Sequence, residues 1–149
     1  MWSESSTSFS HKYLNNIYKN KHIMNTLKEI LLYIWQLPQN LVGLVVLFCC
    51  GHKEKCNVAG IDFYYSKTFP GGISLGNYVI IGSKNEKTVK HEHGHQIQSM
   101  YLGPLYLFII GIPSIVWAGL YGSIIKPTTN GYYKFYTERS ADKLGKVER

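Results

Sequence analysis

Charge is scarce in this chain. Charged residues make up 17% of its 149 positions, against about 25% in an ordinary soluble domain. That shortage excludes a disordered segment or a charged tail, both of which need charge to stay solvated. Cysteine is scarce too: Cys49, Cys50 and Cys56 are the three in the chain, too few and odd in number for a disulfide framework. Acidic residues number 9 against 16 Lys and Arg, leaving a net charge of +7. Such a balance invites a nucleic-acid reading, but the cations are spread over every polar segment from Lys12 to Arg149. They form no basic stripe and accompany no aromatic RNA-binding signature, so no nucleic-acid partner is expected. Basic residues flanking apolar segments point instead to an anionic lipid surface. There is no internal repeat, and the length suits a single domain over 1–149 rather than a multidomain enzyme.

What the chain does have is two long apolar runs. The first, 27–50, reads LKEILLYIWQLPQNLVGLVVLFCC; the second, 102–125, reads LGPLYLFIIGIPSIVWAGLYGSII and carries no charge. As a continuous helix each would be about 36 Å long, enough to cross a hydrocarbon core of about 30 Å. The second is apolar all round, which a soluble domain of this size cannot cover. Gln36, Pro38, Gln39 and Asn40 interrupt the first run, and Gly111-Ile112-Pro113 the second. Proline removes a helical hydrogen bond and clashes with the preceding turn, so each break predicts a kink or the tip of a re-entrant hairpin. Neither run resembles a cleaved signal peptide: the first begins too late, and Phe48-Cys49 fits no small-residue cleavage site.

The polar middle opens with a loop after Gly51 and continues as strands Ile61–Tyr65 and Ile73–Ile81 around a turn at Pro70-Gly71-Gly72. Ser83 with Glu86 three residues on reads as a capping box, predicting a helix from about Lys84 to Leu102. After the second run, Pro127-Thr128-Thr129-Asn130 reads as a loop. Tyr132 to about Lys146 reads as a final helix, its leading aromatics suited to the headgroup level. The expected fold class is mainly α with a short β-region (α+β).

The chemistry lies on the helix after the predicted cap. His91-Glu92-His93-Gly94-His95 is an HExxH pattern. Four apart on a helix, His91 and His95 share a face and can converge on one tetrahedral metal. Glu92 beside them is placed to act on a metal-bound water rather than to ligate. Taken alone, the pattern is also what a His-rich solvated face would show. In Thr137-Glu138-Arg139-Ser140-Ala141-Asp142, two carboxylates four apart share a face of the last helix. Glu138 can supply a third zinc ligand, and Asp142 can accept the free ring N–H of a ligating histidine and so fix its tautomer. The plain alternative is a pair of helix-surface ion pairs, Glu138 with Arg139 and Asp142 with Lys146.

HEHGH, an apolar segment and then ERSAD together resemble the membrane gluzincins of the CAAX-prenyl-protease and heat-shock membrane-protease type. The resemblance covers roughly residues 86 to 145. It implies a zincin-like helix pair with His91, His95 and Glu138 as ligands to one Zn2+, Glu92 as general base and Asp142 behind a ligating histidine. The chain is much shorter than those proteins and lacks most of their surrounding helices.

This reading carries a topological condition. If 102–125 crossed a membrane once, His95 and Glu138 would end on opposite faces and could not share an ion. The expectation is therefore a chain that reverses near Gly111–Pro113, a monotopic or re-entrant protein. With all polar segments on the cytoplasmic face, the abundance of Lys and Arg in each of them is explained.

The expected function is a membrane-associated zinc metalloendopeptidase acting on a peptide or membrane-protein substrate, with Glu92 as general base. His93, Tyr132, Tyr133 and Tyr136 are candidate donors to the oxyanion. The strand Gly72–Ile81 is either a holder of substrate by β-pairing or plain core. Cys49, Cys50, His52 and Cys56 lie close together with soft donors, but adjacent cysteines chelate one ion poorly, and reduced or acylated thiols at a membrane edge suit the spacing better. The rival function is a non-catalytic membrane-bound interaction protein with a structural metal or none.

Overall fold

The computed structural model describes residues 4–50, 54–125 and 129–149. Two compact units divide it, Met1–Ile34 and Trp35–Arg149. The first consists of the helix α1, Glu4–Trp35. Over its last four turns Ile23, Met24, Leu27, Ile30, Leu31 and Ile34 are exposed.

The second unit is a small sheet carried between helices. Helix α2 is Leu37–Cys49; its Pro38 sits in the first turn, where a missing N–H costs nothing. The strands β1 (Glu54–Val58), β2 (Ile61–Tyr65), β3 (Gly72–Leu75) and β4 (Tyr78–Ile81) form a sheet in the order β1-β2-β4-β3. β2 and β4 are parallel and the other pairings antiparallel. Two features differ from expectation. The loop after Gly51 is replaced over Glu54–Val58 by β1, paired with β2. The expected single strand Ile73–Ile81 is a hairpin, turned by the two residues Gly76-Asn77 with Gly76 at φ +61°, as a glycine-first hairpin turn requires.

Central strand β4 shows why a sheet forms here. Alternate residues point to opposite faces: Val79 and Ile81 pack with Phe63 against Val89, while Ile80 packs on Leu47 and Cys50 of the α2 side. Val89 belongs to α3, Glu86–Leu102. Its cap is Asn85, whose side chain accepts from the Lys87 N–H, and Ser83 instead accepts from the Asn85 N–H. The predicted capping box is thus displaced by two residues, because Asn is at least as good an N-cap as Ser.

The second apolar run is continuous where a reversal was expected. A π-turn, Leu107–Gly111, leads into α4, Ile112–Leu120, and a second π-turn, Tyr121–Ile125, follows. Pro113 lies inside this continuous helix and cannot donate to the Ile109 carbonyl four residues earlier; the π-helical turn before it absorbs the ring, and Tyr136 Oη donates to that carbonyl instead. The stretch Leu107–Ile124 is long and apolar enough to cross a membrane. It is mostly uncovered, with Phe108 70% and Ile124 72% exposed.

The chain reverses after this helix. The expected loop at Pro127-Thr128 lies outside the described residues; Thr129–Tyr132 is a helical turn, α5, and α6 is Tyr136–Gly145. The aromatic segment between them returns alongside the apolar helix. Trp117 Nε1 donates to the Tyr132 carbonyl at 3.0 Å, the Trp117 and Phe135 rings stack at 4.6 Å, and Tyr136 Oη donates to the Ile109 carbonyl at 2.6 Å. This return removes the topological conflict, because α6 comes back to the level of α3 without a mid-helix hairpin.

α3 and α6 then cross at very close range. A Cβ on Gly94 would overlap the Ala141 carbonyl, and one on Gly145 would overlap that of Lys90. Only glycine at these two points lets the backbones approach so near.

Candidate metal centre

Close crossing puts the two carboxylates of α6 against the two histidines of α3. His91 Nε2 lies 3.1 Å from Glu138 Oε2, and His95 Nε2 lies 3.7 Å from the same oxygen. One ligand atom from each of the three residues falls within 4.8 Å of the others, and all three residues are buried. A tetrahedral ion with ligands at about 2.0–2.1 Å spaces them about 3.3–3.4 Å apart. The observed separations bracket that value, so the donor set fits a single ion.

Each ring is held by its far nitrogen. His91 Nδ1 is 2.7 Å from Asp142 Oδ1, and His95 Nδ1 is 2.8 Å from Gln98 Oε1. Both acceptors require an N–H at Nδ1, which leaves the Nε2 lone pairs directed at the centre. Gln98 is itself tied to α6, its Nε2 donating to the Thr137 carbonyl and to Ser140 Oγ. Nor are the carboxylates surface charges. Glu138 is 1% exposed and Asp142 pairs with His91 and Arg149, so the alternative pairings with Arg139 and Lys146 are not formed.

Electrostatics in the metal-free cluster follow from this packing. Burial pushes His91 down, but its hydrogen bonds to Glu138 and Asp142 and the charge of Glu92 outweigh it, and its pKa is raised. Burial pushes Glu138 up, yet its bonds to His91 and His95 hold it well below the carboxylate range. A proton shared between His91 Nε2 and Glu138 Oε2 would occupy the place of an ion and bridge the same two atoms.

Glu92 faces the same space from the other side. It is buried, and burial raises its pKa against the opposing charges of His95 and His91. Ser74 Oγ on β3 donates to the Glu92 carbonyl at 2.6 Å and lies 3.2 Å from Glu92 Oε2. Tyr106 Oη in turn donates to the Ser74 carbonyl at 2.8 Å. β3 is an edge strand, and a Cβ on Gly72 would occupy the place of the Glu92 carboxylate.

A cavity of about 620 Å³ opens over these groups, within the range of small-molecule and peptide pockets. β3 forms one wall, and Gly111, Ser114, Ile115 and Ala118 of the apolar helix form the opposite one. Of the four candidate oxyanion donors, Tyr132 and Tyr133 line it. Burial, helped at Tyr132 by the charge of Glu138 and a hydrogen bond to it, raises both phenols and keeps them neutral. His93 bonds to Gln96 and lines a separate cavity of about 340 Å³. Tyr136 is half exposed and spends its hydroxyl on the Ile109 carbonyl. Neither lines this cavity: His93 lies on another face of α3 from the ligands, and Tyr136, in the same first turn of α6 as Glu138, is directed at the Ile109 carbonyl.

Several contributors escaped sequence reasoning. Gln98 sits three residues after His95 on the same helical face, a spacing that could have revealed it. Gln36, Gln39 and Asn40 interrupt an apolar run at i, i+3, i+4 and are all buried. Gln39 Nε2 donates to Ser99 Oγ and the Gly103 carbonyl, Ser99 Oγ donates to Gln36 Oε1, and Asn40 Oδ1 accepts from the Asn77 N–H. They brace the end of α3 and the β3–β4 turn. Ser74, Ser114 and Arg149 carry no local signal.

Among the described residues, His91, His95 and Glu138 are the one group of three ligand-type side chains. Cys49 is exposed, Cys50 is buried in the sheet core, Cys56 is partly buried, and His52 lies outside the described residues. Comparison of the chain with protein-family models, curated proteins and solved structures finds no match.

Proposed function

We propose that the chain is a membrane-associated zinc metallopeptidase of the gluzincin type, with α3 and α6 as its zincin-like helix pair. The observation that carries this reading is the convergence of His91 Nε2, His95 Nε2 and Glu138 Oε2 beside a buried Glu92 within one cavity. When bound, a zinc ion supplies Lewis-acid polarisation and acidifies water. Glu92, whose carboxylate burial makes more basic than a free one, would take the proton of the attacking water and return it to the leaving amine. Ser74 holds that carboxylate against the edge strand. Tyr133 offers a neutral O–H donor to the oxyanion, whereas the Tyr132 hydroxyl is engaged by Glu138. β3 offers backbone groups to an extended peptide. The uncovered faces of α2 and of Leu107–Ile124 suit a hydrocarbon environment, with the polar segments at the cytoplasmic face.

The rival reading is a non-catalytic membrane protein, and the ion pair between His91 and Glu138 favours it by closing the cluster without a metal. Metal analysis of the detergent-purified protein beside its Glu92→Gln variant, with hydrolysis of a peptide library as second readout, separates the two. The enzyme reading expects one zinc in both proteins and cleavage in the wild type alone. Wild-type protein that carries zinc and cleaves nothing supports the rival.

A further inference from the structure

We infer that Ser114, on the apolar helix, is a positioning residue that holds Glu138 in a one-oxygen binding mode and so makes metal affinity depend on how that helix is seated. The inference rests on the metal-centre reading above and concerns the half of the Glu138 carboxylate that faces away from the histidines. Oε2 is the oxygen directed at both Nε2 atoms. Oε1 accepts from Ser114 Oγ at 2.5 Å and from Thr137 Oγ1 at 3.0 Å. A carboxylate oxygen has two lone pairs, so two hydroxyl donors saturate Oε1 and leave Oε2, which otherwise meets His91 Nε2, as the oxygen open to an ion. A ligand confined to one oxygen keeps a coordination position open, which a hydrolytic centre needs and a closed structural one does not.

The two hydroxyls differ in what they connect. Thr137 precedes Glu138 on α6 and moves with it, whereas Ser114 reaches across from a different element. A helical serine commonly bonds back to its own helix four residues earlier; this one donates instead to a buried carboxylate. Trp117 and Tyr136 also join the apolar helix to the returning segment, but through backbone carbonyls of Tyr132 and Ile109. Ser114 alone among the described residues of that helix bonds to a ligand. A slide of the apolar helix by about an ångström along α6 breaks a hydrogen bond of this length and frees one lone pair of Oε1, Thr137 keeping the other.

The test uses the full chain in detergent micelles, with Ser114→Ala, Ser114→Thr and Ser123→Ala, the last exposed on the same helix. Zinc affinity is read by chelator competition, and coordination by the visible spectrum of the cobalt-loaded protein. Ser114→Ala is expected to weaken zinc binding about 10–100-fold and to shift the cobalt spectrum toward higher coordination. Ser114→Thr should recover most of both and Ser123→Ala should match the wild type, while metal-free Ser114→Ala should melt lower, having lost a hydrogen bond to a buried carboxylate. Affinity within twofold of wild type and an unaltered spectrum for Ser114→Ala would overturn the inference. Equal losses in the Ala and Thr variants would also overturn it, since packing rather than the hydroxyl would then be at work. Wild-type protein that takes up neither zinc nor cobalt overturns the metal-centre reading itself.

Discussion

Replacing Gly94 with alanine adds one methyl group at the α3–α6 crossing, and the consequences can be worked through. Its Cβ would lie 2.6 Å from the Ala141 carbonyl carbon and 2.9 Å from the Ala141 Cα. Ordinary carbon contacts are about 3.5–4.0 Å, so the helices must part by roughly 1 Å. Neither contact is with a flexible side chain that could swing aside; both are backbone. Overpacking of this kind costs about 1–3 kcal/mol, which lowers the melting temperature by about 2–12 °C in a chain of this size. The effect on the site is larger in kind, because ligand distances tolerate only about 0.2 Å and Glu138 rides on the displaced helix. Zinc affinity is therefore expected to fall more than tenfold while Glu92 and the sheet stay in place. Circular dichroism melts with and without zinc, combined with chelator competition, measure both effects. Gly119→Ala is the control: nothing lies within 4 Å of a Cβ there, and alanine gains up to about 1 kcal/mol of helix propensity. A Gly94→Ala protein with unchanged melting and zinc affinity within twofold of wild type would refute the close crossing and the shared site with it.

Glu92→Gln should retain zinc and lose about 10²–10⁴-fold in peptide hydrolysis, read by metal analysis beside a cleavage assay; loss of zinc would reassign Glu92 as a ligand. Asp142→Asn should weaken zinc binding about 10–100-fold, because His91 loses the carboxylate that fixes its ring 2.7 Å away. Zinc uptake should depend on pH through His91, whose raised pKa means that the metal-free fold gains stability from its proton below about pH 6.5. That stability is lost as pH rises through the raised value, while affinity falls about tenfold per unit as pH drops below it, one proton being displaced. Glu138, held low, does not titrate in this window, so a flat affinity profile between pH 5 and 8 would contradict the assignment. The uncovered face of Leu107–Ile124 predicts recovery in the membrane pellet after lysis without detergent; a soluble, monodisperse chain would count against lipid as its neighbour.

Helix periodicity alone places His91 with His95, and Glu138 with Asp142, on single faces, because a rise of 1.5 Å and 3.6 residues per turn are set by the local backbone. The HExxH and ExxAD spacings were therefore legible, as were strand β2, the apolar character of 102–125 and the α+β class. Local rules also misled where two signals competed. Pro113 reads as a break, yet a π-helical turn before it and the Tyr136 hydroxyl on the Ile109 carbonyl let the helix run through. The alternating run 73–81 reads as one strand, though Gly76-Asn77 folds it into a hairpin. Residues 133–135 read as helix but break it between α5 and α6, where the Phe135 ring stacks on Trp117 of the apolar helix.

Tertiary structure decided which faces meet. Nothing in the spacing of residues 95 and 138 says that a chain leaving α3 through an apolar helix comes back beside it rather than beyond it. That return depends on the Trp117, Tyr132, Phe135 and Tyr136 contacts, and the final approach on the missing side chains of Gly94 and Gly145. Ser74, Ser114 and Arg149 are ordinary residues in sequence and become part of the site only because elements far apart in the chain bring them there. Pairing along one helix is a property of the backbone, whereas pairing between helices is a property of packing, and packing is a long-range outcome that no local spacing encodes.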